Sequence, residues 1–185
     1  MSKTKKLFLT VFFVMLILTV TFIVLTVTTG NSVCYTLSIT FGTVFYHFAM
    51  RLLVGKFTGH KFNYKSLWFK EKSFEKHLYK ALRVKKWKGK MPSYNSKTYM
   101  TRLIPLEDIV NTMCRNEVIH EIIALLSFVP ILFSLAFDAF LVFGITSIIA
   151  CMCDLTFVVM QRYNRPRVVR LMERQREQKG RGNQI

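Results

Sequence analysis

The stretch "AFLVFGITSIIACMCDLTFVVMQRYNRPR", residues 139–167, runs from an apolar segment into three arginines, an asparagine and a proline. Residues 139–160 are long enough to cross a bilayer, since a helix needs roughly 20 apolar residues to span the hydrocarbon core. Asp154 interrupts the run six residues before its end at Met160, about 9 Å by helical rise. A carboxylate inside the run, with "QRYNRPR" (161–167) at its end, raises the question of whether those arginines only end a helix or also hold a ligand.

Working outward, three further apolar runs have the required length, at 7–29, 33–54 and 118–137. The first follows Lys3, Lys5 and Lys6 as a signal peptide would, but its apolar stretch is longer than the usual core of about 7–15 residues, and "TTGNS" is a poor cleavage site. The sequence therefore predicts an all-α membrane protein with four transmembrane helices, in one membrane domain covering residues 1–185.

Composition agrees. With 51% apolar residues, 17 phenylalanines and a net charge of +17 in 185 residues, the chain is neither an ordinary soluble domain nor a disordered tail. All 27 basic residues fall before the first run, in the 16 between Arg51 and Glu117, or in the eight after Met160; the two short turns at "GNSV" and Asp138 carry none. Positive charge collects on cytoplasmic flanks, so a four-helix threading that puts it on one side has both termini and the long loop in the cytoplasm, in a multi-pass cell-membrane protein. That asymmetry accounts for the charge without a nucleic-acid partner. The four cysteines (34, 114, 151, 153) lack zinc-site spacing and read as small buried hydrophobes, with no resident metal.

The loop, 55–117, is too long for a simple connector. Leu67, Phe74, Leu78, Ala81 and Leu82 recur at roughly helical spacing among lysines, as in a helix lying in the headgroup layer, with Trp68, Phe69 and Trp87 as anchors. Gly89, Pro92 and "SYNS" break the pattern. "PLEDIVNTMCRNEVIHEII" predicts a helix opening at Pro105, with Glu107 and Asp108 in its first turn. After Pro166 the tail, 161–185, starts as a basic amphipathic helix and frays at its glycines.

Ionisable side chains inside a bilayer cost a few kcal/mol each and need a reason. His47 and Arg51 are four apart, on one face of the second helix; Glu117 and His120 are three apart at the entrance to the third; Asp154 is in the fourth. A histidine with a carboxylate one helical step away is a minimal general base. Its neutral form is available at cytoplasmic pH. The same residues also fit a structural polar cluster, and the arginines fit ordinary positive-inside anchors.

Arg162, Arg165 and Arg167 beside Pro166 suit phosphates, because guanidinium forks bind oxyanions in two-pronged fashion. Asn164 adds an amide and Tyr163 a ring. Lys86 and Trp87, within "RVKKWKGK", flank either the phosphates of a nucleotide or those of anionic lipids.

Three blocks, "FEKHLYKALRVKKWKGKMP" (74–92), "NEVIHEIIALLSFVP" (116–130) and "VVMQRYNRPRVVRLM" (158–172), resemble in order and spacing the glycosyl-4,4'-diaponeurosporenoate acyltransferase family, small bacterial membrane enzymes that esterify the sugar of a glycosylated carotenoid acid. The resemblance covers roughly the C-terminal two thirds of the chain. It implies an O-acyltransferase whose donor is a thioester, acyl-CoA or an acyl carrier protein, with no bound cofactor, and whose acceptor is a glycosylated carotenoid or glycolipid. His120 is then the base, oriented by Glu117. Arg162, Asn164, Arg165 and Arg167, with Lys86 and Trp87, bind the donor, while His47, Arg51 and Asp154 shape the polar floor. Two other readings remain open on the residues alone: a non-catalytic lipid-binding or assembly protein, and a small membrane methyltransferase. The sequence leaves the oligomeric state open.

Overall fold

The computed structural model describes residues 3–91 and 104–182. The chain is helical, with no strand among the described residues: α1 (Lys3–Thr29), α2 (Ser32–Phe57), a 3₁₀ turn at Leu67–Phe69, α3 (Glu75–Ala81), α4 (Val84–Trp87), α5 (Leu106–Leu126), α6 (Val129–Leu132), α7 (Ser134–Phe137) and α8 (Phe140–Gly182). Among the described residues, four stretches are long and apolar enough to cross a membrane: Lys3–Thr29, Ser32–Phe57, Leu106–Phe137 and Phe140–Gln178. The breaks predicted at Pro92 and "SYNS" lie outside the described residues.

The chain groups into two compact units. The first comprises Met1–Phe57 and Ile119–Leu155. Gly30 ends α1 in the left-handed region (φ 63°), which glycine adopts without a Cβ penalty. Asn31 then caps α2, its Oδ1 accepting from the Val33 amide at 2.8 Å. The two helices pack through facing rings, Phe8 with Phe48, Phe12 with Phe45 and Phe22 with Phe41, at centroid distances of 5.0–5.4 Å. α1 has no buried residue, as a helix solvated by lipid on most of its surface would. Met50, Ile119 and Ile123 form a small core flanked by Tyr46, Val54 and Leu126.

The third apolar stretch departs from an unbroken helix over 118–137. Pro130 has no amide hydrogen, so the Leu126 carbonyl four residues earlier loses its helical donor. Tyr46 supplies the replacement, its hydroxyl donating to that carbonyl at 3.0 Å. The chain continues as the short α6 and α7 and turns at Asp138, which adopts a left-handed conformation (φ 47°).

The second unit comprises Thr58–Val118 and Thr156–Ile185. As predicted, a helix opens after Pro105, whose carbonyl accepts from the Asp108 and Ile109 amides. Its buried face, Leu106, Ile109, Val110, Met113 and Cys114, joins Phe69 and Met172 in the core. Only residues 75–81 of the predicted interfacial helix are regular α-helix; Leu67, Trp68 and Phe74 lie outside it and are exposed. The fourth helix also extends past its predicted end at Met160. It runs through Pro166 to Gly182. A mid-helix proline costs about 3 kcal/mol, and burial of Met172 with partial burial of Val168 and Val169 offsets that cost. At 1.5 Å per residue α8 is about 65 Å long, roughly twice the hydrocarbon thickness.

Candidate active site

In the first unit, α2 presents Thr43, His47 and Met50 on its buried face. Arg51 follows one turn after His47, and its NH1 donates to the His47 carbonyl at 2.7 Å. Its NH2 pairs with Oδ2 of Asp154. The other oxygen, Oδ1, lies 2.8 Å from Nδ1 of His120. Asp154 has 1% of its side chain exposed and His120 23%, so the carboxylate is sealed and the imidazole is not. An isolated carboxylate would be costly among apolar helices. A guanidinium on one oxygen and an N–H on the other stabilise it. With Nδ1–H donating to the carboxylate, the lone pair of His120 sits on Nε2, the tautomer a general base requires.

Two further polar groups in this unit are notable for what they lack. His47 is 5% exposed and Ser147 is fully buried. Neither ring nitrogen of His47, nor the Ser147 hydroxyl, has a hydrogen-bond partner among the described residues. Buried polar atoms normally have one.

The second unit has a different polar centre. Glu117 is fully buried and accepts from Arg162 NH1 at 2.7 Å on Oε1 and from Arg165 NH1 on Oε2. Arg162 also donates from Nε and NH2 to Oε1 of Glu75, at 2.9 and 2.6 Å. Oε2 of Glu75 accepts from the Tyr79 hydroxyl at 2.6 Å. Further guanidinium hydrogens reach the carbonyls of Trp68, Phe69 and Lys70. Two arginines and two glutamates thus cancel in charge while fastening the 3₁₀ turn and α3 to α8. Burial alone would push the Glu75 carboxyl up, but the hydrogen bonds from Tyr79 and Arg162 and the Arg162 charge outweigh it and hold it below the usual carboxylate range. Burial, with the hydrogen bond to Glu75, pushes the Tyr79 hydroxyl well up.

Beside this centre, Lys88 donates to Asn164 Oδ1 at 2.7 Å, and Arg167 donates to the Tyr163 hydroxyl at 2.8 Å. Burial, reinforced by the Arg167 and Lys85 charges, holds the Lys88 amine below its ordinary value. Lys86 is exposed, and Trp87 turns its indole N–H to the Leu82 carbonyl at 2.9 Å.

Among the predicted site residues, the structure therefore joins Arg51, His120 and Asp154 in one cluster and Glu117, Arg162 and Arg165 in another. The carboxylate on the His120 imidazole is that of Asp154, where Glu117 was predicted. Glu117 is three residues away in sequence, but its two oxygens are occupied by arginines. Arg162 and Arg165, predicted to grip a ligand's phosphates, are engaged by Glu75 and Glu117. Sequence reasoning missed Glu75 and Tyr79. The available signal was their spacing of four in a lysine-rich segment, which puts a carboxylate and a phenol on one helical face.

Comparison with known proteins brings these clusters under one description. No curated protein and no solved structure matches the chain. A family model described as glycosyl-4,4'-diaponeurosporenoate acyltransferase matches residues 65–174, more than half of the chain. The matched segment contains His120, Asp154, Glu117 and every arginine of the second centre, and leaves out His47 and Arg51. The chain belongs to the glycosyl-4,4'-diaponeurosporenoate acyltransferase family, an acyltransferase family of carotenoid biosynthesis.

Proposed function

We propose that the protein transfers a fatty acyl group from a thioester donor, an acyl-CoA or an acyl carrier protein, to a sugar hydroxyl of a membrane-embedded glycosylated carotenoid or glycolipid. The observation that carries this reading is the pairing of His120 with Asp154. Nε2 of His120 accepts the hydroxyl proton while the oxygen attacks the thioester carbonyl. The new C–O bond forms, the C–S bond breaks, and the departing thiolate takes the proton back from the imidazolium. Asp154 stabilises that imidazolium and fixes the tautomer, and Arg51 pairs with its second oxygen.

His47 and Ser147 supply hydrogen-bonding capacity for the acceptor. A neutral imidazole offers one donor and one acceptor, and a hydroxyl offers both, which suits a polyhydroxylated sugar better than a charged group. The distribution of Lys and Arg supports a protein with both termini in the cytoplasm, where thioester donors are made.

The direct test is acyl transfer from radiolabelled acyl-CoA, and in parallel from acyl carrier protein, in membranes containing the glycosylated acceptor. His120→Ala is expected to lower the rate at least 100-fold, the scale on the order of 10²–10⁴ typical of a positioned base. Full activity in that variant would remove His120 from the chemistry.

A further inference from the structure

The Tyr163 ring carries two cations. Nζ of Lys88 stands 4.7 Å from its centroid and the guanidinium carbon of Arg167 stands 4.2 Å from it. Both also hydrogen-bond nearby, Lys88 to Asn164 and Arg167 to the Tyr163 hydroxyl. No carboxylate is among the contacts of either cation in the described residues. The contrast with Arg162 and Arg165 is direct, because those two are neutralised by Glu75 and Glu117. Two unneutralised positive charges held over one ring repel each other, and an anion between them would remove that repulsion.

The positive surface continues along α8. Arg167, Arg170, Leu171 and Arg174 line a groove of about 280 Å³, their spacing placing them on one helical face. Glu173 lies on the same helix and lines the neighbouring groove together with Arg165 and Arg170, so the all-cationic stretch runs from Lys88 through Arg167 to Arg174. Guanidinium groups match phosphate oxygens in pairs. Leu171 adds apolar surface of the kind a nucleotide base and sugar can cover. A groove lined by three arginines suits a small polyanion.

We propose that Lys88, Asn164, Tyr163, Arg167, Arg170 and Arg174 bind the polyphosphate head of a nucleotide thioester, so that the donor is acyl-CoA. This rests on the acyl-transfer reading above and chooses between the two donors it leaves open. The cradle needs several cations because the ligand carries several phosphates, and it places the donor's recognition on residues distinct from the proposed base.

The test uses full-length protein in nanodiscs of neutral lipid. Free CoA and adenosine 3',5'-bisphosphate are titrated against wild type, Arg167→Gln and Lys88→Gln, with Arg167→Lys as a charge-retaining control for folding. Each Gln variant is expected to bind CoA about tenfold or more weakly, the scale of one charge-assisted hydrogen bond. With acyl-CoA as donor, KM is expected to rise by a similar factor while kcat holds. With acyl-pantetheine, which carries no phosphate, wild type and variants are expected to transfer equally.

Unchanged CoA affinity in both Gln variants would overturn the assignment, as would transfer from acyl carrier protein by a protein that does not bind CoA. A loss confined to binding of phosphatidylglycerol vesicles, with CoA unaffected, would assign the cluster to lipid headgroups and equally overturn it. CoA binding that weakens as expected in a protein that transfers from no thioester would uphold the cradle while removing the proposed chemistry.

Discussion

Nδ1 of His120 and Oδ1 of Asp154 lie 2.8 Å apart across 34 positions of sequence. If the carboxylate sets the imidazole's tautomer, Asp154→Asn should lower kcat on the order of 10³-fold with KM for the acceptor little changed, because an amide can donate to Nδ1 and hold the wrong tautomer. The same substitution strands Arg51 without its counter-charge. The double variant Arg51→Gln/Asp154→Asn is therefore expected to regain thermal stability but not kcat. Steady-state kinetics paired with thermal unfolding in detergent separates the two effects.

Glu117 makes a different prediction. Removing the fully buried charge that Arg162 and the buried Arg165 share should destabilise the protein by about 3–5 kcal/mol. Glu117→Gln is expected to unfold at a much lower denaturant concentration, yet to keep its kcat per folded molecule. A Gln variant of normal stability with lost turnover would return Glu117 to the chemistry.

The pH dependence of stability follows from Glu75 and Tyr79. The folded-state carboxyl of Glu75 titrates below its ordinary value of 4.5, so its contribution is complete above that pH and is lost as pH falls through the lower, folded value. Tyr79 has the opposite sign. Its hydroxyl is held above the ordinary 10.0, so its contribution is complete below pH 10.0 and is lost as pH rises toward the folded value. Unfolding midpoints measured against pH should show both limbs. Glu75→Gln should flatten the acid one and Tyr79→Phe the alkaline one.

The bend after α5 predicts a coupled pair. Tyr46→Phe leaves the Leu126 carbonyl without a donor inside an apolar span, at a cost of about 1–3 kcal/mol. Pro130→Ala restores a backbone N–H for that carbonyl. In a double-mutant cycle of unfolding free energies, Tyr46→Phe should cost much less in the Pro130→Ala background. Additive costs would mean the tyrosine acts some other way.

His47 sets stability against function. A buried imidazole with neither nitrogen bonded is unfavourable, so His47→Leu is expected to raise the unfolding temperature. If the ring meets the acceptor's sugar, the same variant should raise the acceptor's KM several-fold. Unchanged KM together with unchanged stability would contradict both halves.

The helical plan was legible because membrane thickness fixes the length of an apolar run, and four runs of that length stand out by composition alone. Helix ends were less legible. The fourth run reads as ending at Met160, yet residues beyond Pro166, Val168, Val169 and Met172, carry enough apolar surface to keep the helix going against its core. Site membership was visible in the scarcity of charge inside the spans, but partner choice was not. Glu117 is near His120 in sequence and Asp154 is not, and only the packing of helices determines which carboxylate reaches the imidazole. The Glu75–Tyr79 pair stayed hidden because a lone carboxylate among lysines looks like a solvated surface group.

α1 meets α2 through a ladder of rings, with Thr19 beside Gly42, and buries no side chain. Such a helix is selected for greasiness and length, with little demand on the identity of any one residue. A synthetic poly-leucine segment retaining Phe8, Phe12, Thr19 and Phe22 should therefore serve in its place.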